Sequence, residues 1–282
     1  MRSSEEIKKL ILKKAEADER IRAVLLNGSR ADPKIAPDKF QDFDIVFIVN
    51  EIENFLSDHD WIKILGDILI MQLPDEMIIY NEKKRSSFAY LMLFKDGNRI
   101  DLTLFPKDKL KTEFVSDSLT VLLLDKENLF PDLPAASDKD YLIKQPTEKE
   151  FTDHCNEFWW VCTYVAKGLC RYEITYSKEM LEIPVRNMFL KMTEWLIGVE
   201  NNFSVSFGKS GKYMKNYISP ELYEKILLTY PDHKAENIWR SLFLMTELFS
   251  EFANKISQSL HFSYNKIEED NVIEYLEQLQ TG

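Results

Sequence analysis

The stretch from residue 21 to residue 49, IRAVLLNGSRADPKIAPDKFQDFDIVFIV, decides the fold of the first part of the chain. It contains two short apolar runs, residues 21–26 and 43–49, both rich in β-branched side chains. Runs of this length and composition are typical of buried strands. Pro33 and Pro37 lie between them and favour an irregular loop. The stretch therefore predicts two core strands joined by a loop.

Polar residues in the same stretch lie where a binding site would form. The first run leads into Gly28-Ser29-Arg30, a turn whose free backbone N–H groups can hold a phosphate. Asp42 and Asp44 are two residues apart, so a strand places both carboxylates on one face. Adjacent carboxylates repel each other, and Mg²⁺ between them removes that cost. An isolated pair of this kind usually consists of two solvated acids, but the preceding turn favours a metal and triphosphate site.

A third carboxylate follows in a predicted hairpin. Residues 88–94 and 99–105 are apolar runs on either side of Asp96-Gly97, a strong hairpin signal. In the second run polar and apolar residues alternate, which places Asp101 on the polar face of its strand. If that strand neighbours the one with Asp42 and Asp44, three acids converge and can clamp metal ions. The alternative is a surface residue of a hairpin.

The chain is expected to contain two domains, residues 1–140 and residues 141–282. Strand signals, including a further run at 68–72, are confined to the first. A proline-rich segment separates the two domains, and Thr147 with Glu150 then forms a capping box that starts a long helix. Helical periodicity continues around 178–200, 219–230 and 235–260. The predicted fold class is α+β, with a mixed-sheet domain followed by an all-helical domain.

Composition narrows the range of expected binding partners. The net charge is −11, and the sequence contains no long basic stripe, so a nucleic acid is not an expected partner. An acidic surface suits a cationic small molecule. The three cysteines form no zinc-binding motif. We find neither a signal peptide nor an apolar run long enough for a membrane span, and we expect a cytoplasmic protein, acting as a monomer, with no membrane partner.

The sequence resembles the DNA polymerase beta-like nucleotidyltransferase superfamily. Over nearly its full length it also resembles the aminoglycoside 6-adenylyltransferases, which are streptomycin-resistance enzymes. The blocks that carry the resemblance are DERIRAVLLNGSR (18–30), FQDFDIVFIV (40–49), FKDGNRIDLTLFP (94–106), CNEFWWVCTYVAKGL (155–169) and FSVSFGKSGKYMKNY (203–217). The resemblance implies a nucleotidyltransferase domain at the N-terminus and Mg²⁺-dependent transfer of AMP from ATP to a hydroxyl, with release of pyrophosphate.

The resemblance also assigns roles to residues of the first domain. Gly28 and Ser29, with Arg30 beside them, would hold the triphosphate. Asp42 and Asp44 would bind Mg²⁺. Asp101 would be the third metal-binding acid. It is also one of two candidates for the group that takes the hydroxyl proton, and the other is Glu157 of the helical domain.

The helical domain offers residues for both substrates. Glu157, Trp160 and Tyr164 share one stripe of the long helix, and with the family resemblance we expect this stripe to face a substrate cleft. Glu157 would meet the guanidinium or hydroxyl groups of the aminoglycoside, or act as general base, while the two rings pack on the sugar. Lys212, and next Lys209, would neutralise the triphosphate. The alternatives are a solvated helix face and exposed loop lysines.

Two other functions remain open at this stage. The same chemistry could serve another acceptor, such as a different antibiotic, a protein or an RNA end. The chain could also be a nucleotide-binding protein that has lost catalysis, although the three retained acids argue against this. Streptomycin as the acceptor, modified at position 6, rests on the resemblance alone.

Overall fold

The computed structural model of the chain describes residues 1–79 and 86–282 and divides into two units, Met1–Asp140 and Tyr141–Gly282. The first unit contains strands β1 (Ile21–Asn27), β2 (Phe43–Val49), β3 (Ile68–Gln72), β4 (Phe88–Phe94), β5 (Arg99–Pro106) and β6 (Thr120–Asp125), with helices α1 (Ser4–Ala17) and α2 (Glu53–Leu56). The second contains α3 (Glu148–Cys170), α4 (Ile174–Met180), α5 (Arg186–Glu200), α6 (Pro220–Leu227), α7 (Ala235–Leu260) and α8 (Lys266–Thr281).

The strands form one mixed sheet in the order β3-β4-β5-β2-β1-β6. Among the described strand pairs, β2 and β5 are parallel and the others antiparallel. The register places Asp44 of β2 opposite Asp101 of β5 on one side and opposite Asn27 of β1 on the other. Because β2 and β5 are each bonded on both edges, the backbone that carries these aspartates is fixed by the sheet.

Packing on the sheet explains why the strands are apolar. One face contributes to the larger core of the unit, where α1 buries Ile7 and Ile11 against Val24 and Phe43. A capping box fixes the start of α1, with the Ser3 hydroxyl accepting from the Glu6 N–H. The opposite face carries a smaller apolar cluster and also the half-buried aspartates. One face therefore stabilises the unit and the other leaves room for polar side chains.

The second unit is organised around α3. One stripe of this helix is apolar and buried, and it consists of Phe151, Cys155, Phe158, Cys162, Val165 and Leu169. The Thr147–Glu150 capping box forms at its N-terminus. Between α4 and α5 the residues Leu181–Val185 form one π-helical turn that accommodates Pro184, which lacks the backbone N–H a regular helix needs.

The predicted fold class is confirmed. Strand β6, the short helix α2 and helix α8, which is mostly polar, have no counterpart in the sequence analysis. In the described ranges, no helix is both long and apolar enough to cross a membrane.

Candidate active site

Three carboxylates meet on the polar face of the sheet. Asp44 and Asp101 are register partners on the parallel strands, and Asp42 lies two residues before Asp44 on the same face. The pKa of Asp44 is raised to about 6, chiefly by burial and next by the charges of Asp101 and Asp42. Burial also raises the pKa of Asp42, and the charge of Asp101 acts in the same direction. The grouping expected from sequence is therefore present, and its carboxylates repel one another.

The turn after β1 is shaped to approach Asp44. Gly28 has φ of +71°, and a Cβ atom placed there would overlap Oδ2 of Asp44. Its N–H donates to the Leu119 carbonyl at 3.0 Å, so this amide is already used by the protein. Gly28 therefore contributes space beside the carboxylate, and the next residue, Ser29, is half-buried.

Arg30 has other partners than the nucleotide contact expected from sequence. Its Nε and NH2 atoms donate to the carbonyls of Asp42 and Gln41 at 2.9 and 2.6 Å, and NH1 donates to the Ser4 hydroxyl. The guanidinium also stacks over the Phe43 ring at 3.8 Å. In the structure, Arg30 holds the backbone that leads into β2 and so positions Asp42.

Arg99 is the site residue that the sequence analysis missed. Its Nε and NH2 atoms donate to Oδ1 and Oδ2 of Asp101 at 2.8 and 2.7 Å, and Nε lies 3.6 Å from Oδ2 of Asp42. A usable signal existed, because a residue two positions before Asp101 on a strand shares its face. The guanidinium therefore neutralises part of the charge of the three carboxylates.

The residues present suit a hard divalent cation. Carboxylate oxygens from neighbouring strands are the ligands that Mg²⁺ prefers, and Gly28 leaves the space in front of Asp44 open. Among the described residues, no three acidic, histidine or cysteine side chains are already arranged around an ion position. Arg99 accounts for this, because it takes both oxygens of Asp101. The carboxylate oxygens are therefore suitable ligands for Mg²⁺, but Asp101 could join them only after its contact with Arg99 is broken.

Beside the carboxylates, the same face of the sheet leads to a cavity of about 1080 Å³ within the first unit. Thr103, two residues after Asp101, belongs to its lining. Among the residues that the structure describes, the lining contains one basic residue, Lys109, and five acidic residues, Glu51, Glu53, Asp75, Glu76 and Asp108. This lining favours cationic groups over phosphates. It was not foreseen because its residues come from separate segments of the chain.

The residues predicted in the second unit lie in two places. Glu157 and Trp160 are exposed on α3, with Trp160 59% exposed, and the Trp160 indole donates to the Tyr164 hydroxyl at 2.6 Å. Lys209 and Lys212 are exposed in a loop that includes Gly208, Ser210 and Gly211, all with positive φ. The aromatic pair and the lysine loop are thus both open to solvent within this unit.

Known proteins resemble the chain along nearly its whole length. A family model described as streptomycin adenylyltransferase matches residues 1–279. An aminoglycoside 6-adenylyltransferase from Campylobacter jejuni is 42% identical over 264 residues, covering 94% of this chain and 91% of the relative. One from Bacillus subtilis (strain 168) is 39% identical over 270 residues and covers 95% of each chain.

A solved structure agrees with these sequences. The crystal structure of an aminoglycoside 6-adenyltransferase from Bacillus subtilis matches 100% of both chains at 34% identity, with a TM-score of 0.50. The resemblance seen in the sequence blocks is therefore confirmed, as is the enzyme class. This protein belongs to the streptomycin adenylyltransferase family, whose members are nucleotidyltransferases.

Proposed function

We propose that this protein transfers AMP from ATP to a hydroxyl of an aminoglycoside, namely position 6 of streptomycin, and releases pyrophosphate, which confers resistance. The observation that carries the proposal is the convergence of Asp42, Asp44 and Asp101 beside the turn at Gly28. The names of the relatives, aminoglycoside 6-adenylyltransferases, support the acceptor and the position.

The reaction is a displacement at the α-phosphorus. The acceptor oxygen forms a bond to that phosphorus while the bond to the bridging oxygen of the β-phosphate breaks, and pyrophosphate leaves with the electron pair. Asp42, Asp44 and Asp101 would hold Mg²⁺, which supplies charge stabilisation and acidifies the acceptor hydroxyl. The hydroxyl proton goes to Asp101 or to Glu157, each a carboxylate able to act as general base.

Other residues of the chain would bind the triphosphate. Ser29 lies in the half-buried turn that follows Gly28, where backbone N–H groups can donate hydrogen bonds to phosphate oxygens. Lys212 and Lys209 are exposed cations in a loop and would offset the negative charge of the triphosphate. Arg30 acts indirectly, by holding the backbone at Asp42.

The choice of streptomycin as the acceptor is supported by the negative charge of the protein. Streptomycin is cationic, and both the acidic cavity and the net charge of −11 favour a cation over a nucleic acid. On α3, Glu157 would pair with a guanidinium, and the Trp160–Tyr164 pair would pack on sugar rings. We further propose that the enzyme works as a monomer in the cytoplasm, without membrane or nucleic-acid partners.

The test is a reaction with ATP, Mg²⁺ and streptomycin, followed by mass spectrometry of the antibiotic and a pyrophosphate assay. We expect streptomycin to gain one AMP and pyrophosphate to appear in equal amount. Trp160→Ala should raise the KM for streptomycin by about tenfold while leaving that for ATP unchanged, because a ring contact is lost.

A panel of other aminoglycosides, a protein extract and tRNA separates the remaining possibilities. Product with another acceptor and none with streptomycin would contradict the assigned substrate. ATP and Mg²⁺ binding without product on any acceptor would instead indicate a binding protein.

A further inference from the structure

Arg99 is the side chain through which the three carboxylates are partly neutralised. Its guanidinium forms a two-pronged contact with Asp101, at 2.8 and 2.7 Å, and its Nε atom lies 3.6 Å from Asp42. Arg30 forms no ion pair with these carboxylates, because its three guanidinium nitrogens donate to two carbonyls and a hydroxyl, and its charge lowers the pKa of Asp42 less than that of Arg99 does. Among the described residues, Asp44 has no two-pronged arginine contact of this kind, although the charge of Arg99 lowers its pKa.

The same contact conflicts with coordination of a cation. Both Asp101 oxygens lie within the fork of the guanidinium, and a doubly charged ion there would face a positive charge within a few ångström. The Arg99 side chain is 43% exposed, and its ion pairs within the described part of the chain are with these carboxylates alone, so it has room to leave. The backbone of β5 is fixed by β2 and β4, so the release must be a side-chain movement.

We propose that Arg99 is a built-in counter-ion, which holds Asp101 in the absence of a divalent cation and which that cation must displace before all three carboxylates can coordinate it. The inference rests on the proposed function, since it assumes that these acids are the metal site. Arg99 thus lowers the intrinsic affinity for the metal and stabilises the protein while the metal is absent. It acts as a positioning residue through Asp101.

The chain contains a matched control. Arg20 contacts Asp18 through Nε and NH2 at 2.9 and 2.7 Å, again two residues apart, and is 39% exposed. This pair lies at the other end of β1, away from the three acids, so Arg20→Gln removes a similar ion pair without touching the site. Arg99→Gln removes the charge at the site, and Arg99→Lys keeps the charge but loses the fork.

The experiment measures binding of Mn²⁺, as a spectroscopic substitute for Mg²⁺, by electron paramagnetic resonance on the full chain without nucleotide. We expect Arg99→Gln to bind Mn²⁺ at least about fivefold more tightly than the wild type, the size of a typical coupling between two sites. Arg99→Lys should fall between them, and Arg20→Gln should match the wild type. Equal or weaker Mn²⁺ binding by folded Arg99→Gln would overturn the inference.

Thermal melting provides a second readout, independent of activity. Arg99→Gln should melt lower than the wild type in EDTA and recover most of the difference in Mn²⁺, whereas Arg20→Gln should lose the same amount in both. An equal loss for Arg99→Gln in both conditions would also overturn the inference. Asp44→Asn tests whether these carboxylates are the metal site. If this variant binds Mn²⁺ like the wild type, the metal-site assignment fails together with the inference. If this variant loses Mn²⁺ binding, the metal site stands, and a contrary result with the Arg99 variants contradicts the Arg99 inference alone.

Discussion

Asp18 precedes strand β1, whereas Asp44 of β2 lies opposite Asn27 at the other end of β1, and the two carboxylates have opposite electrostatic surroundings. Before the strand, Asp18 accepts from Arg20 at 2.7 and 2.9 Å and from Lys14 at 2.9 Å. Arg20 first, and then Lys14, hold the pKa of Asp18 well below its usual range despite burial. At the other end of the strand, burial and two other carboxylates raise the pKa of Asp44 on β2 to about 6.

The comparison separates stability from function within one short segment. Asp18 is compensated by its neighbours, so it stabilises the fold. Asp44 is crowded by like charges, which costs stability unless a ligand supplies positive charge. Arg99 contacts Asp101 and Asp42, whereas its charge lowers the pKa of Asp44 by less than burial and the two neighbouring carboxylates raise it. A carboxylate kept in such surroundings is typical of a binding or catalytic site.

The largest expected effect follows from removing the uncompensated charge. Asp44→Asn should lower AMP transfer by about 10³-fold, because a lost metal ligand removes several kcal/mol of transition-state stabilisation. At the same time the melting temperature in EDTA should equal or exceed that of the wild type, because charge repulsion is relieved. Turnover by mass spectrometry and a thermal melt at pH 8 measure both.

Asp18→Asn is the matched variant and should behave in the reverse manner. It should keep wild-type turnover and melt at a lower temperature. If Asp44→Asn were strongly destabilised in EDTA, or if Asp18→Asn lost turnover, the division between the two ends of β1 would be wrong.

A smaller effect is expected from Gly28→Ala. The positive φ costs an alanine about 1 kcal/mol, and the added Cβ would push Asp44 aside. We expect turnover to fall by about 10²-fold, the usual cost of a misplaced reacting group. Gly97→Ala is the control, since it also has positive φ but meets only the flexible end of Met1. Equal turnover in the two variants would show that the approach of Gly28 to Asp44 has no catalytic role.

The smallest effect concerns the pH dependence of stability. Because the folded-state pKa of Asp18 is lowered, its contribution is complete above the unfolded pKa, near 4, and is lost as the pH falls below that value. Wild type should exceed Asp18→Asn by about 1–3 kcal/mol at pH 7, the cost of hydrogen bonds to a charged group. Urea unfolding at pH 7, 5 and 3 should show this difference shrinking at pH 3. A constant difference would contradict the assigned pKa.

Much of the fold follows from local pattern. β2 and β3 lie at the predicted residues, and the hairpin around Asp96-Gly97 is present, because alternation and turn chemistry are properties of neighbouring residues. Strand β6 was missed because it is an edge strand whose residues after Thr120 are partly exposed, and its run of leucines suits a helix as well as a strand. The π-helical turn at Pro184 depends on tertiary packing that no local pattern encodes.

The site was predictable to a similar depth. The shared face of Asp42 and Asp44 follows from strand periodicity, and their meeting with Asp101 required only that β2 and β5 be neighbours, as they are. The contacts of Arg30 and Arg99 could not be assigned, since long side chains choose among several partners through the three-dimensional arrangement. Sequence therefore indicates which acids gather and leaves open which cations accompany them.

The order of the strands also affects how the chain is made. β5 lies between β4 and β2 in the sheet, although it is synthesised after both. A growing chain presents Gly28 and the Asp42–Asp44 pair on the ribosome before Asp101 has emerged, with one edge of β2 still unpaired. Open edges of this kind invite association with other chains. A prematurely terminated product that ends before Pro106 would consequently be a substrate for chaperones and proteases, and never a partly active enzyme.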